Sequence, residues 1–199
     1  MNRRTVYAAM TRAAILNAAL ELFVTRGFES TTVDDIAELA DVSKGAVYHH
    51  FRDKSEMFVE VYRDSTRSVL TGIARMVQMD DRSAWERAED GVRMVMRTYV
   101  TDPVACVLFR QAQQALGAER LQSIHAETAL PIIRGLVGEL DAAGELVPVD
   151  LESTVQLVFL VLCEAATLIT LHADPAAASR STEPVVLRLI GGLRNPLPR

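Results

Sequence analysis

Lysine, cysteine and tryptophan are scarce in this 199-residue chain. Only two of its 21 basic residues are lysine, and 26 acidic residues bring the formal net charge to −5. Charge alone therefore gives no reason to expect a nucleic-acid-binding protein, and such a function would have to rest on a local arrangement of residues. The two cysteines, Cys106 and Cys163, are far apart and have no CxxC spacing, which excludes a disulfide scaffold and indicates a reducing compartment.

The chain also lacks an apolar run that is both long and free of charge. Its most apolar stretch, residues 154–171, contains Glu164, and a carboxylate near the middle of a bilayer is costly. We therefore expect a buried helix in a cytoplasmic protein with no membrane partner. Glu164 itself leaves two interpretations open: it binds a cationic ligand in a pocket, or it lies at the helix surface or pairs across a dimer.

Catalytic spacing is absent as well. Serine, histidine and acidic residues occur, but not at the spacing of a nucleophile elbow or a metal site. The adjacent His49 and His50 would point about 100° apart on a helix, so they do not easily bind one ion. The sequence predicts neither an enzyme nor a cofactor or metal ion.

Apolar residues recur at helical period along nearly the whole chain, and no alternating strand pattern competes. The sequence predicts an all-α fold of about nine helices, with a helix kink at Pro131. The expected bounds used below are 11–26 for the first helix, 103–117 and 118–143 for two helices that Gly117 separates, and 151–172 and 184–191 for the last two.

The second and third predicted helices form a helix-turn-helix. Thr32 caps the second helix, residues 33–40, and Asp35 is its capping-box partner. A three-residue turn leads to a short helix over 43–50, capped by Ser43. In such a motif the second helix enters the major groove of DNA. Two apolar residues of this segment, four positions apart, are expected to face the core: Val47 and Phe51.

The other side of that third helix has residue types that read DNA. Lys44 can reach guanine O6 and N7, Ala46 can touch a thymine methyl group, and Gly45 lets the backbone approach closely. Residues 43–54 also carry a local charge of +2, in contrast to the acidic chain as a whole. Hydroxyl, phenol and imidazole groups, together with the starts of the second and fourth helices, can bind phosphates. The predicted phosphate contacts are Thr32, Ser43, Tyr48, His49 and Lys54.

Three pieces of sequence carry a family resemblance: TTVDDIA at 31–37, ADVSKGAVYHHF at 40–51, and Lys54 three residues later. In this order and spacing they closely resemble the tetracycline-repressor (TetR) family, over about residues 11–62. Asp41 stands where that family usually has glycine, but aspartate tolerates left-handed backbone better than most residues, so the turn should survive.

The resemblance implies a homodimeric transcription regulator, usually a repressor, that binds a palindromic double-stranded DNA operator. Residues 1–56 would be the helix-turn-helix DNA-binding domain, and residues 57–199 a helical ligand-binding and dimerisation domain. A small-molecule effector typically binds the second domain of such proteins and releases the DNA. The alternative is a DNA-binding dimer that is controlled by a protein partner or has no effector.

For the C-terminal domain we expect a pocket and a dimer contact. A cavity lined by aromatic, methionine and scattered polar side chains would take a mostly apolar ligand, although a filled core without a cavity uses the same residue types. The helix over 151–172 is apolar nearly all round, so its excess face, expected at Val155, Val158 and Leu162, should pack on a second subunit. The expected lining residues are Trp85, Met96, Tyr99, Phe109, Gln113, His125, Phe159 and Cys163.

Overall fold

The computed structural model describes residues 3–78 and 82–196, and helices dominate both ranges. Within those ranges there is no β-strand, only an isolated bridge between Leu146 and Arg194. The all-α prediction is confirmed. The helices are α1 (Arg3–Arg26), α2 (Val33–Leu39), α3 (Lys44–His50), α4 (Lys54–Gln78), α5 (Ala84–Thr101), α6 (Pro103–Ala142), α7 (Leu151–Leu171) and α8 (Pro175–Gly191).

Two predicted helix starts are wrong. α1 begins at Arg3 and not at residue 11, because no glycine or proline interrupts the preceding turns. α8 begins at Pro175 and not at Pro184: Asp174 caps it by accepting a hydrogen bond from the amide of Ala177 at 2.9 Å. Proline is well suited to the first position of a helix, and Pro184 lies in the interior of α8 instead.

The long helix α6 contains the break predicted at Gly117. Gly117 adopts φ 73° and ψ 169°, which a residue with a side chain rarely does. It is the only residue of α6 with non-helical backbone angles, so the helical angles continue through Pro131, where a kink was expected. The two expected helices on either side of Gly117 are therefore segments of one interrupted helix.

The chain divides into two compact units. The first contains the residues up to Ser65 together with Val107–Gln122 of α6. Its core is formed where α1, α2 and α3 pack on one another, around side chains with no exposed surface. Three aromatic rings join this core, with centroid separations of 5.1–5.7 Å. They belong to Phe23, Phe28 and Phe58.

The second unit contains Thr66–Cys106 and the residues from Ser123 onward. Here α5, α7 and α8 pack on one another in pairs. One apolar cluster forms around Met96 and Ile169, and another around Trp85 and Val155. Both clusters include contacts from Ile190 of α8.

Two helices, Thr5–Arg26 and Leu151–Leu171, have the length and apolar composition of a membrane span, a test that core helices and signal sequences also pass. One side of α7 is buried and the other exposes four leucines, so the helix has an excess apolar face, as the sequence predicted. That face does not lie at the expected residues. Val155, which was expected to face a partner subunit, lies in the core of its own unit, and Leu162 packs against the same unit.

Candidate nucleic-acid interface

The short helix α3 has a buried side and an exposed side, as the sequence predicted. Val47 and Phe51 lie in the core of the first unit. Lys44, Gly45 and Tyr48 are exposed, and Tyr48 keeps half of its surface free. Because the buried pair fixes the rotation of the helix, the opposite side stays available to a macromolecule. Three further residues of the predicted interface lie on or beside this side: Ser43 and His49 are exposed, and Ala46 is half-buried.

The entry to α2 is held by the predicted capping box. The Thr32 hydroxyl accepts a hydrogen bond from the Asp35 amide at 3.1 Å, and the Asp35 carboxylate accepts from the Thr32 amide at 2.8 Å. The Thr32 hydroxyl also donates to that carboxylate. The hydrogen bonds that the carboxylate accepts from the Thr32 hydroxyl and amide lower the pKa of Asp35. A phosphate at this position would therefore meet a hydroxyl that already has partners within the chain.

The turn between α2 and α3 has the geometry that the motif requires. Asp41 adopts φ 54°, the left-handed conformation in which glycine is the usual residue. The prediction that aspartate is tolerated here is confirmed. Ser43 then caps α3, its hydroxyl accepting from the amide of Ala46 at 3.1 Å. Local hydrogen bonds thus determine where α3 begins.

The sequence did not predict that Lys44 has an acidic partner. The ammonium group of Lys44 donates to Asp34 Oδ2 at 2.8 Å, and this hydrogen bond raises the pKa of Lys44. Asp34 lies in the first turn of α2, so the ion pair crosses the turn between the two helices. Both side chains are more than half exposed. The pair therefore presents a cation and an anion side by side on the exposed side of the motif.

The other two cations of residues 43–54 also have partners. Arg52 lies 3.6 Å from the carboxylate of Glu56. Lys54 donates to the carbonyl oxygens of Phe28 at 2.6 Å and Glu29 at 3.3 Å, and its Nζ lies 4.3 Å from the centroid of the Phe28 ring. Lys54 thus ties the loop between α1 and α2 to the start of α4. The local positive charge expected from composition is largely compensated in the fold.

A glutamine far along the chain supports the same loop. Gln111 accepts a hydrogen bond from the Phe28 amide at 2.6 Å and donates to the carbonyl oxygen of Phe23 at 3.0 Å. It belongs to the segment of α6 within the first unit. No local pattern marks Gln111, because its partners lie more than 80 residues away in sequence.

His50 and Phe51 have the structural part expected of them. Burial is the main cause that lowers the pKa of His50. The guanidinium of Arg12 lies 5.0 Å from the centroid of the Phe51 ring and forms an ion pair with Glu60 at 3.1 Å. These contacts connect α1, the end of α3 and α4. In the described ranges, no group of three or more His, Cys, Asp or Glu residues could hold a metal ion.

Two family models match separate parts of the chain. Residues 15–61 match the model described as bacterial regulatory proteins of the tetR family. Residues 85–193 match the model described as the tetracyclin repressor-like C-terminal domain. The chain belongs to the TetR family. TetR-family proteins are DNA-binding transcription regulators, mostly repressors and usually ligand-responsive, and the family is not one of enzymes.

Relatives agree with this assignment. The chain is 44% identical over 82 residues to the transcriptional regulator TtgR of Pseudomonas putida, a match that covers 41% of this chain and 39% of TtgR. The match thus spans about two fifths of the curated relative's length. A TetR-family regulator from Pectobacterium atrosepticum has the same fold, with a TM-score of 0.85 and 24% identity over the whole of both chains. The regulator RolR, solved with resorcinol, has a TM-score of 0.74 and 20% identity, covering 93% of this chain and 89% of RolR.

The residues predicted to line an effector pocket are spread over the TetR fold. His125 and Phe159 meet, with ring centroids 4.9 Å apart, and burial lowers the pKa of His125. Met96 is fully buried, and Tyr99 packs against the cluster that contains it. Burial raises the pKa of Cys163 to about 12. All five residues belong to the second unit.

The remaining three predicted residues have other surroundings. Trp85 is 2% exposed and packs in a different cluster from Met96. Its indole N–H donates to Glu89 at 2.9 Å, and the Arg194 guanidinium lies 5.6 Å from its ring centroid. Phe109, which is half-buried, and Gln113, which is exposed, lie on the segment of α6 that belongs to the first unit.

Proposed function

We propose that this TetR-family protein is a dimeric, ligand-responsive repressor that binds a palindromic operator and is released by a small, mostly apolar molecule. The observation that carries the proposal is the exposed side of α3, with Lys44, Gly45 and Tyr48 opposite the buried Val47 and Phe51. A short helix fixed by its core face and free on its other face suits insertion into a major groove. The proposed place of action is the cytoplasm.

In this proposal base edges are read by Lys44, Gly45 and Ala46. The remaining contacts go to phosphates and fix the register of α3 without reading sequence. Tyr48 and His49 have exposed polar groups for this purpose. Lys54 and Thr32 already form hydrogen bonds within the chain, so they would contact phosphates with the hydrogen-bonding capacity that remains. The proposed phosphate contacts are Thr32, Ser43, Tyr48, His49 and Lys54.

The dimer is supported by an exposed apolar surface on α7 and α8, which we call the dimer face: Leu157, Leu160, Leu168 and Leu171 of α7, with Val185 and Leu189 of α8. These six side chains are between 54% and 70% exposed, and such a surface on two adjacent helices is typical of a protein–protein contact. Packed by two-fold symmetry, the two helices form a four-helix bundle with their copies.

A dimer also serves the proposed DNA binding. Two recognition helices about 34–36 Å apart reach successive major grooves on one side of the duplex. An effector that binds the DNA-free arrangement more tightly shifts the population away from that spacing and releases the operator. The proposed effector site is centred on the His125–Phe159 contact, with Met96, Tyr99 and Cys163. The apolar character of these residues favours an aromatic or aliphatic molecule over a nucleotide.

The experiment is selection of operator DNA from a random pool, followed by titration at two salt concentrations and sedimentation of the free protein. We expect a palindromic site, a dimer at micromolar concentration, and dissociation of Leu189→Glu into monomers that retain their helical content. Ile190→Glu serves as the contrast, because Ile190 packs against both core clusters and its change should unfold the second unit.

Effector control is tested by screening small aromatic and aliphatic molecules for release of the selected operator. Trp85 is the only tryptophan, so its emission reports on the cluster of α5, α6 and α7 around it. Phe159→Ala should weaken the response to a releasing compound. Release that is unchanged in a folded Phe159→Ala variant would place the effector elsewhere. A dimer that binds its operator but responds to no compound would support control by a protein partner.

A further inference from the structure

Four of the five exposed leucines of α7, all but Leu151 at its start, are arranged symmetrically around one charged residue. Glu164 lies in the exposed stripe, with Leu160 four residues before it and Leu168 four residues after it. Leu157 and Leu171 stand seven residues away on either side. At 100° per residue, all five positions fall within about 80° of arc around the helix, and Glu164 lies at the centre of that arc. The stripe is therefore symmetric both along the helix and around it.

Such a stripe matches a second copy of itself when the second copy runs in the opposite direction. In a two-fold contact, residue i of one subunit meets residue j of the other, and residue j meets residue i. An axis at Glu164 brings Leu160 against the partner's Leu168 and Leu157 against the partner's Leu171. Spacings of three and four residues are those of helices that pack side by side over several turns. An antiparallel pair of helices also aligns the opposite ends of their dipoles.

The neighbouring helix α8 offers a poorer match to α7. Its exposed apolar side chains are Val185 and Leu189, and the exposed Arg188 flanks them. Packing α7 on the partner's α8 would offer only these two apolar side chains to four leucines. Glu164 forms no hydrogen bond or ion pair with any residue of the described ranges, so no internal contact explains a carboxylate at the centre of this stripe.

We propose that α7 packs antiparallel on the partner subunit's α7 with the two-fold axis at Glu164, so that the two Glu164 side chains face each other. This inference rests on the proposed dimer and goes further, because it fixes which residues meet. The leucines supply the apolar contact area. The two carboxylates oppose association, since like charges at close range repel. The interface is thus held below the affinity that its leucines alone would give.

Cross-linking tests the register directly. Cys106 and Cys163 are first replaced by serine, and Glu164→Cys or Leu157→Cys is introduced singly into that background. A residue on the axis lies close enough to its own copy to form a disulfide, which needs Cα atoms within about 7 Å. Leu157 is seven residues from the axis, so its two copies would be about 21 Å apart. We expect rapid oxidation to a covalent dimer with Glu164→Cys and none with Leu157→Cys, which is the matched control.

Sedimentation equilibrium of Glu164→Gln supplies a second readout. We expect its dimer dissociation constant to fall at least about twofold, because a like-charge contact is removed. A wild-type dimer in which Glu164→Cys does not cross-link, or in which Leu157→Cys does, would overturn the register. Weaker association of Glu164→Gln would overturn it too, because Glu164 would then pair with a cation such as the partner's Arg188. A monomeric wild-type protein would instead refute the proposed dimer itself.

Discussion

The ammonium group of Lys44 lies 2.8 Å from Oδ2 of Asp34, across the turn between α2 and α3. The residue assigned to read a guanine is therefore already paired in the free protein. In the proposed complex, this surface ion pair, which is worth little in water, is exchanged for contacts in the major groove. Asp34 would then lie close to the phosphates, so we expect it to affect affinity for every DNA sequence.

Replacing Asp34 by asparagine should strengthen binding to all DNA sequences. The substitution removes a negative charge near the phosphates and leaves Lys44 without its partner. We expect about three- to tenfold tighter binding at low salt, with a smaller gain at high salt. Titration of operator and unrelated DNA at two salt concentrations measures this. Glu38→Gln, the same change one turn further along α2, is the control, and an equal gain there would show that only net charge matters.

Replacing Lys44 by alanine should act differently, because Lys44 is proposed to read a base. We expect a loss of about 1–3 kcal/mol on the operator and a relaxed preference at one base position. Selection of operator variants with the substituted protein measures that preference. If Lys44→Ala binds the operator with wild-type affinity and an unchanged base preference, Lys44 does not read a base.

Lys54→Ala should lower the stability of the first unit as well as its affinity for DNA. Lys54 donates to two loop carbonyl oxygens, so its loss should cost about 1–2 kcal/mol in the free energy of unfolding. Thermal and urea unfolding measure this. Arg52→Ala, at an exposed cation two residues earlier, should leave stability nearly unchanged. If Lys54→Ala is as stable as the wild type, the loop contacts contribute nothing measurable.

Gln111→Ala should loosen the junction of α1 and α2. The Phe28 amide and the Phe23 carbonyl oxygen both lose a partner in a partly buried setting, at a cost of about 1–3 kcal/mol. Hydrogen exchange at the Phe28 amide should accelerate, and the protein should melt at a lower temperature. Gln113→Ala, at an exposed position two residues later, is the matched control. If the hydrogen-exchange rate at the Phe28 amide is unchanged, the Gln111 hydrogen bonds do not stabilise this junction.

His125 should make stability depend on pH. Burial lowers its pKa below the ordinary value of 6.5, so the folded state binds a proton less readily than the unfolded chain. The contribution of the neutral ring is fully present above pH 6.5 and is lost as the pH falls toward the lowered value. Urea unfolding at pH 7.5 and 5.5 measures this. Between these two pH values the free energy of unfolding should fall less for His125→Phe than for the wild type.

Features that depend on neighbouring residues could be predicted from the sequence. The Thr32–Asp35 capping box, the Ser43 cap and the left-handed Asp41 all follow from interactions within a few positions. The buried Val47 and Phe51 follow from helical period. The same rules could have predicted that α8 begins at Pro175, since Asp174-Pro175 repeats the pattern of a capping aspartate followed by proline seen at Asp102-Pro103.

The sequence by itself thus determined the helical fold, the place of the helix-turn-helix and the face that α3 exposes. Tertiary structure alone decided which polar side chains are paired, because the partners of Lys44, Lys54 and Gln111 lie 10, 26 and 83 residues away. It also decided which side of α7 is left over for a partner. Periodicity shows that a helix is apolar all round, but the packing of α5 and α8 selects the side that is buried.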